Sequence, residues 1–107
     1  MAVLLDVTLL SGQSADESFE AVDLGGESVD ATVFVEWSSG TTAGVVEVEE
    51  AYGSGESKTW AGIQTVSWSA AGDVDTVHLS GCFRGLRTRI STAISDGTVT
   101  TRLVVNG

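Results

Sequence analysis

Proline is absent from these 107 residues, and cysteine, histidine and methionine occur once each. Without proline, the turns fall to the 13 glycines with Ser, Asp and Asn, and no slow prolyl isomerisation limits folding. A single cysteine, Cys82, excludes an intramolecular disulfide and fits folding in a reducing compartment such as a bacterial cytoplasm. Its expected place is that of a buried, small apolar residue. With His78 as the only histidine, a serine triad or a Cys–His pair has little to draw on, and no Gly-x-Ser-x-Gly elbow occurs. His78, in Thr76-Val77-His78-Leu79, is expected to project from a strand surface. Long apolar runs are missing too. Met1-Ala2-Val3-Leu4-Leu5 stops at Asp6 and has no basic flank, which argues against a secretory signal. No window approaches the roughly 18 apolar residues of a membrane-spanning helix.

Basic residues are missing from the first 57 positions, which hold 12 of the 15 acidic ones. Lys58, Arg84, Arg87, Arg89 and Arg102 share the remainder with Asp73, Asp75 and Asp96, under a net charge of -10. Such a chain repels nucleic acid phosphates and anionic membranes, so neither is an expected partner, and a basic protein surface suits it better. The division between halves implies either strands of opposite charge pairing within one fold or surfaces of opposite sign meeting between subunits.

What is present reads as strand. An apolar content of 42% in one domain, residues 1–107, supplies a core without metal or disulfide. Runs rich in Val, Thr, Ile and aromatics alternate with Gly, Ser and Asp clusters at intervals of about ten residues. They predict strands at Ala2–Leu10, Ser18–Leu24, Val29–Trp37, Val45–Ala51, Thr59–Ser69, Val74–Leu79, Leu86–Ile94 and Thr98–Val105. No convincing helix is found. The expected fold is all-β, a single antiparallel β-sandwich of about eight strands, Ig-like or jelly-roll-like.

In the third run, Val29, Ala31, Val33, Val35 and Trp37 share one face and form core, while Asp30, Thr32 and Glu36 share the other. Phe34 falls on the polar face, either covered by a neighbouring loop or exposed to a partner. Asp96-Gly97 is a pair favoured in two-residue hairpins, which would set Ile94 opposite Val99, Thr92 opposite Thr101 and Ile90 opposite Leu103. Ile90, Ile94, Val99 and Leu103 then point inward, and Arg87, Arg89 and Arg102 form one basic stripe on the other face. Glu47 and Glu49, alternating with Val46 and Val48, offer an acidic counterpart. The stripe meets these acids or those of a neighbouring molecule. Exposed pairs of this kind contribute only about 0 to 1 kcal/mol each.

Other candidate chemistry reads more simply as structure. Gly53-Ser54-Gly55-Glu56-Ser57-Lys58 lacks the Gly-Lys-Ser/Thr ending of a phosphate loop and is expected to be a hairpin loop. Asp73-Val74-Asp75 lacks the further ligands of a calcium loop and reads as a turn with solvated acids. Trp60 and Trp68 share a parity in one predicted strand. They fill core, anchor a protein interface or, as an exposed pair, stack on sugar rings. No catalytic, metal-binding or cofactor-binding residue is identified, and no enzyme is expected.

Gly44-Val45-Val46-Glu47-Val48-Glu49-Glu50-Ala51, Thr59-Trp60-Ala61-Gly62-Ile63, Phe83-Arg84-Gly85-Leu86-Arg87-Thr88-Arg89-Ile90-Ser91 and Gly97-Thr98-Val99-Thr100 follow one another in a characteristic cadence. This pattern resembles small all-β virion proteins of tailed bacteriophages, among which capsid decoration proteins are a prominent class. The resemblance covers more than half of the chain and implies a structural role on the capsid surface of the virion. The partner would be the major capsid protein, with the copies arranged as trimers or as monomers around symmetry axes. Tail, neck and fibre modules of the same virions share such strands, and a carbohydrate-binding sandwich is a further alternative. The candidate interface comprises Arg87, Arg89, Arg102, Glu47, Glu49, Phe34, Trp60 and Trp68.

Overall fold

The structure is a computed structural model that describes residues 3–15, 21–52 and 59–106. Met1-Ala2, the start of the expected strand at Ser18 and the loop expected at Gly53–Lys58 lie outside the described residues. Among the described residues six strands form: β1 (Val3–Gln13), β2 (Ala21–Trp37), β3 (Ala43–Tyr52), β4 (Thr59–Ser67), β5 (Val74–Ser95) and β6 (Val99–Asn106). They make one antiparallel hydrogen-bonded sheet of order β1-β6-β2-β5-β3-β4.

Two of these strands, at 17 and 22 residues, far exceed the usual length of about 5 to 6, because each carries two of the predicted runs. Both bend where glycine allows it, staying paired with each other while gaining an outer partner on one side of the bend only. In β2 the register slips between Asp23 and Glu27, and Gly25 and Gly26 there have φ of 66° and 82°. Facing that bulge is Gly85 of β5, paired with Asp23, where a Cβ would lie 2.9 Å from the Val22 carbonyl oxygen. A side chain at that point would push the two strands apart.

Beyond the bend, residues 27–36 of β2 pair with 74–83 of β5, and before it 21–23 pair with 85–87. β6 lies against 30–37 of β2, whereas β3 lies against 86–95 of β5. The sheet therefore folds over into two layers. One holds β1, β6 and the arms at 27–37 and 74–83; the other holds β4, β3 and the arms at 85–95 and 21–23. Counted by arms there are eight segments, paired first with eighth, second with seventh, third with sixth and fourth with fifth. That nested pairing is a long hairpin rolled up on itself, the jelly-roll member of the two expected sandwich types. The eight runs were legible in sequence, but four of them merge into two continuous strands.

Val33, Val35, Leu103 and Val105 from one layer and Val46, Val48, Leu86 and Ile90 from the other are all buried and belong to one apolar cluster. Between the layers the hydroxyls of Thr88 and Thr101, both fully buried, form a hydrogen bond of 2.6 Å. The alternation of Val29 to Trp37 is as expected, with every odd residue buried.

The hairpin expected at Asp96-Gly97 does not form. β6 pairs with β1 and β2 rather than β5, so the turn carries the chain from one layer to the other. Ile90, Ile94, Val99 and Leu103 all point inward as expected, but they meet across the core instead of lying side by side. The turn is anchored to the loop after β2. Thr42 Oγ1 donates to Asp96 Oδ2 at 2.7 Å, and the Thr98 amide donates to Ser38 Oγ at 2.9 Å. Asp96 sits at a φ of 61°, and a Cβ at Gly97 would run into Thr41 Oγ1 and Ser38 Oγ. Cys82 also departs from expectation. It is exposed, because it shares a parity with Ser80 and His78 on the outer side of β5 and pairs with Ser28.

The threonine pair gives a test of the layer packing. Thr88→Val should destabilise by about 1 to 3 kcal/mol, since it strands the Thr101 hydroxyl in the core, while adding Thr101→Val should recover most of that loss. Chemical denaturation of the single and double variants measures both, and additive losses would contradict the direct contact.

Candidate interaction surface

The outer side of the second layer carries the acidic and basic residues of β3 and β5 in register: Glu47 opposite Arg89 and Glu49 opposite Arg87. Arg87 Nε donates to Glu49 Oε1 at 2.7 Å, and Arg89 Nη1 lies 3.5 Å from Glu49 Oε2. Glu49 is only 7% exposed, so the two guanidinium groups compensate a carboxylate that has lost most of its water. Glu47 accepts hydrogen bonds from Thr65 Oγ1 at 3.1 and 3.3 Å and from Ser91 Oγ at 3.5 Å. The Arg87 guanidinium also lies 4.3 Å from the ring centroid of Trp60, a cation–π contact that completes the cluster.

Arg102 does not join this group. It stands in the other layer, where its Nε donates to Asp6 Oδ1 at 2.7 Å and its Nη2 to Asp6 Oδ2. The predicted stripe of three arginines is thus split, because β6 is not a neighbour of β5. Both parts find acids within the chain. Hydrogen bonding and charge from Arg102 hold the exposed Asp6 carboxyl below its ordinary range, and Asp6 raises Arg102 in return. Phe34 lies on the outer side of the first layer, half-buried between Arg102 of β6 and Thr76 of β5. Near it the exposed His78 ring Nδ1 is 3.2 Å from Thr32 Oγ1. Four residues along an extended strand put Cys82 about 13 Å from His78, out of reach as a pair.

Trp60 and Trp68 do not share a face. Val48 pairs with Gln64 and Glu49 with Gly62, so Ile63 is an extra residue in β4 that reverses the parity of everything before it. Trp60 consequently lies on the outer side over Arg87, whereas Trp68, past the end of β4, packs against the core. Its indole N–H is buried without an acceptor among the described residues. A paired platform for sugar stacking is therefore not built. Asp75 was expected to be solvated but turns inward, in step with Val77 and Leu79, and accepts the Trp37 indole N–H at 2.7 Å. That parity was present in the sequence; the indole partner was not predictable from it.

Arg87→Met should cost about 3 kcal/mol, the scale of breaking a buried pair, and Arg89→Met at most about 1 kcal/mol. Equal costs in thermal or chemical unfolding would contradict the central position of Glu49. A lowered carboxyl pKa contributes stability that is present above the ordinary carboxylate range and lost as pH falls through the lowered value. In Arg102→Gln, the Asp6 pKa should rise back to the ordinary carboxylate range, and the stability gap to the unmodified protein should narrow as pH falls through that range. An NMR titration of Asp6 that does not move in the variant would refute the pairing.

Comparison of the chain with protein-family models, with curated proteins and with solved structures finds no match in any of the three.

Proposed function

We propose that this protein is a structural component of a tailed-phage virion, specifically a capsid decoration protein that binds the assembled shell and stabilises it. The observation that carries the reading is the jelly roll, whose strands β3 to β6 are built from the same segments that resemble small virion proteins. Jelly rolls serve viral capsids, lectins and cupins alike, and a fold alone does not choose among them. The side chains favour the first. Trp60 and Trp68 point to different environments, which removes the sugar platform a lectin would use. The one histidine, His78, faces outward rather than into the sandwich where a cupin-like metal would sit.

Such a protein would meet the major capsid protein through a surface whose acids outnumber its cations, so the matching shell surface is basic. Purified protein mixed with undecorated capsids should co-sediment at low ionic strength, raise the temperature at which shells break, and release as salt is added. Absence of co-sedimentation with no gain in shell stability would sink the proposal. Labelling confined to the tail or neck would move the protein to another part of the virion.

A further inference from the structure

Among the described residues, β4 and the 74–83 arm of β5 each have a strand partner on one side only, β3 and β2 respectively. These free edges belong to different layers, and they face each other across an open cleft of about 260 Å³ lined by residues 64–67 and 75–77. Val66, buried, and Val77, half-buried, give it an apolar base, while Thr65, Ser67 and Thr76 stand exposed at its rim. The flanking backbone is regular. Residues 74–83 follow β2 without a register shift, and 64–67 follow β3 equally evenly. β1, the outer strand on the far side of the first layer, has three register shifts, the irregularity that keeps an edge from pairing.

We infer that this cleft takes an extended, basic segment of a partner chain by strand addition along the 74–83 arm. Main-chain hydrogen bonds to the free edge supply the pairing, and an aliphatic side chain of the segment packs on Val66 and Val77. Charge selects the occupant. Asp75 lies in the lining and Asp73 just before it, the cleft lining contains no cation, and Arg87, Arg89 and Arg102 are engaged with Glu49 and Asp6 elsewhere. An inward carboxylate on an edge strand discourages pairing with another copy of this acidic chain, yet it suits a segment bearing Lys or Arg. The inference rests on the shell-binding reading for its source, an extended arm of the shell protein, but the cleft can be tested without the shell.

The probe is a short capped peptide, Lys-Val-Thr-Val-Lys, set against Glu-Val-Thr-Val-Glu. On the intact protein, the basic peptide should protect the edge-facing amides of Val74, Thr76 and His78 and shift their neighbours, and the acidic one should not. Asp75→Asn keeps a neutral acceptor for the Trp37 indole and should lower the melting temperature only slightly while weakening the basic peptide roughly two- to fivefold, the contribution of one partly exposed ion pair. Thr76→Lys, at an exposed position, should weaken it as well. Equal binding of both peptides, or protection centred away from 75–77, overturns the inference. Shells serve as the second arm. Capsids that bind the unmodified protein and Thr76→Lys equally well overturn the cleft as the contact used. Peptide binding with no capsid binding leaves the cleft standing and removes the shell-binding reading.

Discussion

The pairing of β2 with β5 is the constraint on which everything else in this structure depends. It runs from Ala21 opposite Arg87 to Glu36 opposite Val74, and both strands bend at the same level, where Gly25 and Gly26 lie near Gly85. With that ladder fixed, β6 and β1 can only add outside β2, and β3 and β4 only outside β5. The bend then brings the two groups face to face over Val33, Leu103, Val46 and Leu86. Antiparallel pairing between residues this far apart in sequence is slow to nucleate, since the chain entropy is lost before the contacts form. No proline adds a further slow step.

The rolled hairpin also explains the division of charge. Its two legs are the first and second halves of the chain, and in sequence the change of sign falls between β3 and β4, the innermost pair of the nest. Nested pairing necessarily sets a strand of the acid-rich leg beside one of the leg that carries every cation. The consequences are Asp6 with Arg102 between β1 and β6, and Glu49 with Arg87 and Arg89 between β3 and β5. The acids in excess of these pairs leave the outer surface negative, which is what directs the functional reading toward a basic partner.

Much of this was legible in the chain, and the failures share a cause. Strand periodicity reports which face of a segment is inward, and it did so correctly for Val29 to Trp37 and for Ile90, Ile94, Val99 and Leu103. It does not report which strand lies next door. Asp96-Gly97 suits a hairpin, but Asp96 at positive φ serves equally well in a turn between layers, so the pairing of Arg102 with the other arginines was misplaced. The bulge at Ile63 has no signal in a single sequence, and it alone separated Trp60 from Trp68. Alternation on both strands marked Glu47 and Glu49 as an acidic counterpart to Arg87 and Arg89, but whether they meet within the chain was open in the sequence, and their register opposite Arg89 and Arg87 is seen only in the structure.

The neighbour of β6 decides between a rolled hairpin and a simple meander, and interstrand NOEs across β6 measure it directly. The account predicts backbone contacts between Val33 and Leu103 and between Ala31 and Val105, with Ile90 beside Val46. Backbone contacts of Thr92 with Thr101 and Ile94 with Val99, in place of these, would contradict it.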